Sequence, residues 1–340
     1  MKNLFIGIDF SKEKFDASLF ERGNEHKMVH EEFSNTTDGF KAFLLWVKSN
    51  SSVVSSEWLF CGEHTGLYSL LLSEYLVKKH LFMWLENPMQ IKKSTGIKRA
   101  KTDLIDSAQI ALYAWRFEDR ARLYAPPGKT MCALRVLFAY REQLIKAKVA
   151  FLVSARETQR VMKNDPSVRF MYEQAMKMVA HIENDICETE KKMEQEIGQD
   201  QEVKQNYELV TSVKGIGMVN AIAFIVTTEN FTRFESARQY ACYCGVVPFE
   251  KSSGTSIKGG KHISRIANIR VKTFLTQAAR SAVLYDKQLK EYYDKKLKEG
   301  KKDQVIINNV RNKLLQRVFA VIKKGKPFEE EYRNYLSSCA

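Results

Sequence analysis

The chain opens with short apolar runs separated by polar punctuation. "LFIGIDF" and "KFDASLF" read as β-strands joined by "SKE" at hairpin spacing, and "KMVHEEFS" reads as a third strand. In "TTDGFKAFLLWVKSN" the apolar period lengthens to three and four, which predicts an amphipathic helix. "EWLFCGEH" predicts a strand, "TGLYSLLLSEYLVKKH" a helix and "LFMWLEN" another strand. A helix then begins near Thr102 and runs through "DLIDSAQIALYAWRF". A meander followed by strand–helix alternation predicts a mixed α/β sheet over residues 1–125.

"APPGKT" at 125–130 punctuates the chain. The next region, 126–203, has one interruption, "KNDPS". Before it Leu137, Tyr140, Leu144, Ala147, Phe151, Ser154, Thr158 and Val161 step by three and four. After it Ala175, Val179, Ile182, Ile186, Thr189 and Met193 do the same. This is the heptad seam of a helical hairpin or coiled coil, packing within the chain or against another subunit. The last region, 204–340, reads as mostly helical. Gly215 and Gly217 open an apolar helix, a pattern that suits either phosphate contact or ordinary helix packing. "FESARQYACYCGVVPFE" and "ANIRVKTFLTQAARSAVLY" predict two further helices, with a glycine-rich loop between them. The tail reads as a charged segment and one more helix.

Charge adds a partner to this outline. The 340 residues carry a formal net charge of +14, which points to a polyanion, nucleic acid before membrane surface. Two stretches lack acids altogether. One holds Lys92, Lys93, Lys98, Arg99 and Lys101, and the other Lys251, Lys258, Lys261, Arg265, Arg270 and Lys272. Both are candidate backbone-gripping surfaces. No apolar run is long enough to span a bilayer, and the amino terminus reads as a strand broken by Asp9, not as a signal peptide. The six cysteines lack the paired spacing of a zinc site, so a reducing cytoplasm is expected and Cys242 and Cys244 read as half-buried apolar residues.

Four carboxylates carry candidate chemistry. Asp9 and Glu63 each stand at the end of an apolar strand, and Asp103 and Asp106 lie three apart at the start of a helix, on one face. Four hard oxygen ligands suit two Mg²⁺ ions, with Mn²⁺ as a substitute, that polarise a phosphate and activate the attacking oxygen. Taken singly, each also suits a structural part, as a turn residue or a helix-dipole partner. Asp16 and Glu13 read as solvated.

"IGIDFSKEKFDASL", "GEHTGLYSLLL" and "GIKRAKTDLIDSAQIALYA" resemble the DEDD-type insertion-sequence transposases, a family that includes Piv-like DNA invertases and bridge-RNA-guided recombinases. The resemblance continues through "LVTSVKGIGMVNAIAFI", "YACYCGVVPFEKSSGTSIKGGKHISR" and "RNKLLQRVFAVIKKGKPFEE". It implies a RuvC-like (ribonuclease-H-type) domain at 1–125, with Asp9, Glu63, Asp103 and Asp106 as an acidic tetrad. It further implies a coiled-coil middle at 126–203 and a mostly α-helical transposase domain at 204–340 whose Ser-Gly serine is the nucleophile. That serine falls on Ser253, with Ser252 the alternative. The later segment, Ile263-Ser264-Arg265-Ile266-Ala267, lacks the glycine usual in the family. A serine among cations and glycines suits attack on a phosphodiester, but this segment has no base to take its proton. The expectation is therefore a composite site, which the resemblance assigns to different protomers of a dimer or tetramer. DNA is the expected substrate, and the resemblance adds a guide RNA. Two other readings stand beside this one: a metal-dependent nuclease that uses water, and a binding protein without catalysis.

Overall fold

In the computed structural model of the chain, the described residues are 1–64, 66–94, 96, 102–253, 257–264 and 266–329, without the side chains of 250–253 and 257–262. Two compact units emerge, Met1–Pro126 and Pro127–Ala340.

The first unit is built on β1 (Leu4–Phe10), which is buried on both faces. β2 (Lys14–Glu21) and β3 (Val29–Ser34) continue it as an antiparallel meander. α1 (Thr37–Ser49), capped by the Thr36 side chain, leads to β4 (Trp58–Glu63). α2 (Leu67–Lys78) leads to β5 (Met83–Glu86), then come α3 (Pro88–Ser94) and α4 (Asp103–Arg116). The sheet order is β3-β2-β1-β4-β5, with β1, β4 and β5 parallel. The expected mixed α/β architecture is present, and α3 is a short helix that the apolar pattern does not announce.

Strand alternation sorts the core into two layers. Leu4, Ile6, Ile8 and Phe10 pack with Phe40, Phe43, Leu72 and Leu76 of α1 and α2. Phe5, Phe20, Leu59, Cys61 and Trp84 pack with Ile110 and Ala111 of α4. α4 lies flush on β1 at Gly7. A Cβ there would stand 2.2 Å from the backbone nitrogen of Ala111 and 2.2 Å from the carbonyl oxygen of Ser107. Only glycine admits so close an approach of helix to strand. Ser18, paired with Gly7 across to β2, hydrogen-bonds through its hydroxyl to that of Ser107 at 2.8 Å.

In the second unit α5 (Lys129–Val161) and α6 (Pro166–Gly198) form an antiparallel hairpin, cross-linked by Arg141–Glu190 and Lys148–Glu183. α7 (Gln201–Thr211), α8 (Met218–Thr228) and α9 (Ala237–Tyr243) follow. Then come β6 (Pro248–Ser253), β7 (Ile257–Ile263), α10 (Ile269–Tyr285), α11 (Lys287–Lys298) and α12 (Asp303–Lys324). Met131, Leu134 and Phe138 root the hairpin against Ile222, Ile225 and Phe274.

The heptad stripe of α5 is only partly covered within the chain. The buried row contains Leu134, Phe138 and Ala155, whereas Tyr140 and Phe151 of the heptad stripe are 46% and 41% exposed. Val179, Ile186, Thr189 and Met193 of α6 are buried as the spacing requires. α5 carries two adjacent apolar stripes, and periodicity alone does not say which of them α6 covers. Gly215 serves packing: its φ is +93°, and a Cβ there would lie 2.6 Å from Cβ of Ala282 and 2.8 Å from the carbonyl oxygen of Ala278.

Candidate active site

One face of the sheet gathers the acids. Alternation puts Asp9 on the same side of β1 as Phe5 and Gly7, the side that α4 covers. Asp9 pairs with Asp16 across to β2, and Asp16 with Glu32 across to β3. On the other flank Ile8 pairs with Gly62, which sets Glu63 beside Asp9, and Glu63 pairs with Glu86. The result is a register line of carboxylates, Glu32–Asp16–Asp9–Glu63–Glu86, with one on each strand. Above it stands the first turn of α4, which supplies Asp103 and Asp106 and is capped by Thr102, whose hydroxyl accepts from the Ile105 N–H at 3.3 Å. The ends of parallel strands beside a helix start form a cleft where ligands of open α/β sheets bind.

This crowding has an electrostatic consequence. Burial first, and then the charges of Asp106, Glu63, Asp103 and Asp16, push the Asp9 carboxyl up to about 6 from 3.8. Lys14 partly offsets the acids. Its ammonium is 3.7 Å from Asp103 Oδ2 and 3.9 Å from Asp16 Oδ2, and it also pairs with Glu32. Among the described residues no three His, Cys, Asp or Glu side chains are drawn together tightly enough to hold a metal ion. Like charges facing one another keep apart until a cation joins them. The donor set nonetheless fits a hard divalent cation: every group is a carboxylate, and the central one is held partly desolvated among its neighbours.

A pH effect follows. The native pKa of Asp9 lies above its unfolded value, so stability is fully present below about pH 4 and is lost as pH rises toward 6. With allowance for solvent screening the loss is about 1 kcal/mol. In chelator, calorimetry should show the melting temperature falling over this window, with Asp9→Asn giving a flatter profile. Added Mg²⁺ should recover the loss at pH 7.

Three acids of the row escape a reading of the sequence. Asp16, expected to be solvated, is 6% exposed, and its Oδ1 lies 2.9 Å from His30 Nε2. Glu86 accepts from the Tyr113 hydroxyl at 3.2 Å, and Glu32 binds Lys14. The usable signal is an acid at alternate-strand parity on every strand, visible only once the register is known.

The basic serine segment is a β-hairpin and not a loop. Ser253 ends β6 opposite Ile257, Ser252 pairs with Lys258, and a bulge separates Glu250 from Lys251. Gly260 is the residue left unpaired, and glycine favours such a break in register. The side chains of Ser252, Ser253, Lys251, Lys258, Lys261 and His262 lie outside the described residues, as do Arg265, Lys98, Arg99 and Lys101 altogether. Lys92 and Lys93 sit on α3, and Arg270 and Lys272 on the first turn of α10. Arg270 is tied to Glu142 at 3.0 Å. Cys244 is buried and its thiol is pushed up to about 12 by that burial, as a packing residue would be. Among the described residues no helix is long and apolar enough to cross a membrane.

Two family models match this chain. A DEDD transposase model of the IS110 type, described as "Transposase", matches residues 6–159, and the model "Transposase IS116/IS110/IS902 family" matches 207–294. The chain belongs to the DEDD insertion-sequence transposase family of IS110 type. It is 26% identical over 339 residues to the pilin gene-inverting protein of Moraxella bovis, covering 97% of this chain and 99% of that one. The pilin gene-inverting protein of Moraxella lacunata matches to the same extent. An uncharacterized 43.6 kDa protein of insertion element IS110 from Streptomyces coelicolor is 31% identical over 121 residues, 36% of this chain and 30% of the other. Such a family processes DNA and depends on a divalent metal cation.

Proposed function

We propose that this protein cuts and rejoins DNA by phosphoryl transfer through Ser253, served by the acidic site of Asp9, Glu63, Asp103 and Asp106. The carboxylate row beneath the first turn of α4 carries this reading. The strand order β3-β2-β1-β4-β5, with β1 central and α4 across it, supports a RuvC-like (ribonuclease-H-type) assignment for 1–125. Residues 126–203 then form a coiled coil and 204–340 the transposase domain. Asp9, Glu63, Asp103 and Asp106 would hold a divalent cation, Mg²⁺ in this reading, which would supply charge neutralisation and polarisation of a phosphate.

In the step itself the Ser253 hydroxyl oxygen attacks phosphorus, the bridging P–O bond to one deoxyribose breaks, and that sugar leaves as an alcohol. The serine proton passes to a carboxylate of the acidic site, which is supplied by another protomer, and a proton is returned from the site to the leaving sugar oxygen. The phosphoserine conserves the energy of the broken bond, so rejoining requires no nucleotide cofactor. Sequence choice is assigned to a guide RNA, in keeping with the resemblance to bridge-RNA-guided recombinases and with the net charge of +14.

The apolar stripe left uncovered on α5, Tyr140 and Phe151 among it, supports assembly of copies through the hairpin. Phe151→Lys should shift sedimentation toward monomer without lowering the melting temperature. An unchanged assembly would remove this role for the stripe.

The competing reading is hydrolysis by water at the same carboxylates, with Ser253 merely touching phosphate. A denaturing gel separates the two. Protein, Mg²⁺, labelled DNA carrying the element's own flanks and RNA transcribed from those flanks should yield a protein–DNA adduct that survives denaturation. Cut DNA with no adduct under rapid quench would establish hydrolysis, and an adduct indifferent to ribonuclease would remove the guide.

A further inference from the structure

Most arginines described in the second unit that face another element hold a carboxylate. Arg141 holds Glu190, Arg270 holds Glu142, Arg280 holds Asp303 and Arg317 holds Asp286. Arg311, on α12, is an exception. Its Nη1 donates to Asn308 Oδ1 at 3.2 Å and its Nη2 to Thr276 Oγ1 at 2.8 Å, both neutral groups. Its Nε is buried without a hydrogen-bond partner among the described residues. A guanidinium so placed has lost solvent without gaining a counter-charge, an arrangement that calls for an anion or another explanation.

The second cation is one helix away. Thr276, which holds Arg311, is a single turn beyond Lys272 on α10 and bonds back to its carbonyl at 2.7 Å. Arg311 reaches α10 one turn from Lys272, near enough for its charge to act on the lysine. Burial lowers the affinity of both for their protons, and each is further disfavoured by a neighbouring cation, Lys272 by Arg311 and Arg311 by Arg280. Two half-buried cations pressed together form a receptor for a doubly coordinated anion oxygen pair, which a guanidinium matches by shape.

Arg311 is also coupled to the serine hairpin. Asn308, which accepts from Arg311, donates through Nδ2 to the Val246 carbonyl at 2.8 Å, two residues before β6 begins.

We infer that Lys272 and Arg311 form a binding site for a backbone phosphate of the DNA strand, fixing that strand at the root of the β6–β7 hairpin. This rests on the reading above only in taking DNA as the substrate.

Binding, and not chemistry, tests it. Full-length protein carrying Ser253→Ala is titrated with a labelled duplex of the element's flanks by fluorescence anisotropy between 50 and 300 mM salt, with the flank RNA as a separate arm. Lys272→Gln and Arg311→Gln should each weaken duplex binding about tenfold and reduce the steepness of the salt dependence by about one. Arg311→Lys should recover part of the affinity, and the melting temperature of Arg311→Gln should not fall. A sharp fall in that melting temperature, with Lys272→Gln binding normally, would make Arg311 a structural residue and overturn the site. Loss of RNA binding alone would overturn DNA as its ligand. If Arg311→Gln does not fold, Lys272→Gln decides, since it leaves Arg311's hydrogen bonds in place. Because adduct formation is scored separately in protein with Ser253 intact, a normal adduct beside an inert Lys272→Gln removes this site alone. A missing adduct beside weakened binding removes the phosphoserine step alone.

Discussion

Ser253→Ala should abolish the protein–DNA adduct and lower strand exchange on the order of 10³-fold or more, with duplex affinity unchanged. In the proposed step the hydroxyl is the atom that bonds to phosphorus, and alanine supplies no substitute. Water in its place would release free ends and prevent conservative rejoining. Ser252→Ala is the internal control. Positions 252 and 253 are successive residues of β6, so the two substitutions test neighbouring hydroxyls one at a time. An adduct retained by Ser253→Ala and lost by Ser252→Ala would move the nucleophile by one residue. Retention by both would end the covalent proposal.

Asp9→Asn should divide activity from stability. Cleavage should fall on the order of 10³-fold, because in the proposed site the central carboxylate of the row would be a ligand and a charge-setting group for the cation. Stability above pH 6, measured in chelator, should rise by about 1 kcal/mol, since the substitution removes a charge held among like charges. A variant that loses both together would show Asp9 to be a structural residue. One that loses neither would detach the acidic row from the reaction.

Much of this site is legible in the chain itself. Asp9 and Glu63 end apolar strands, and Asp103 and Asp106 share the first turn of a capped helix, all local patterns. Asp16, Glu32 and Glu86 are not legible in that way, because what makes them neighbours of Asp9 is strand register, which no local pattern fixes. α11 hides for a different reason. Its "KQLKEYYDKKLK" is dominated by charge, and Leu289 is its only buried residue, so it presents almost no apolar stripe. The serine hairpin is missed because glycine and lysine disguise a ladder that backbone pairing sustains.

The contact of α4 with Gly7 bears on how far the acids can move. Seen mechanically, α4 is a beam clamped at Ser107 and Ala111, where backbone meets backbone, with Asp103–Asp106 as its short free end. Four residues beyond the clamp span about 6 Å, so even a tilt of about 10° displaces Asp103 by only about 1 Å. Gathering of the carboxylates around a cation must then come from side-chain rotation on a nearly stationary frame. The precision of the reacting geometry is set by where one strand lacks a methyl group.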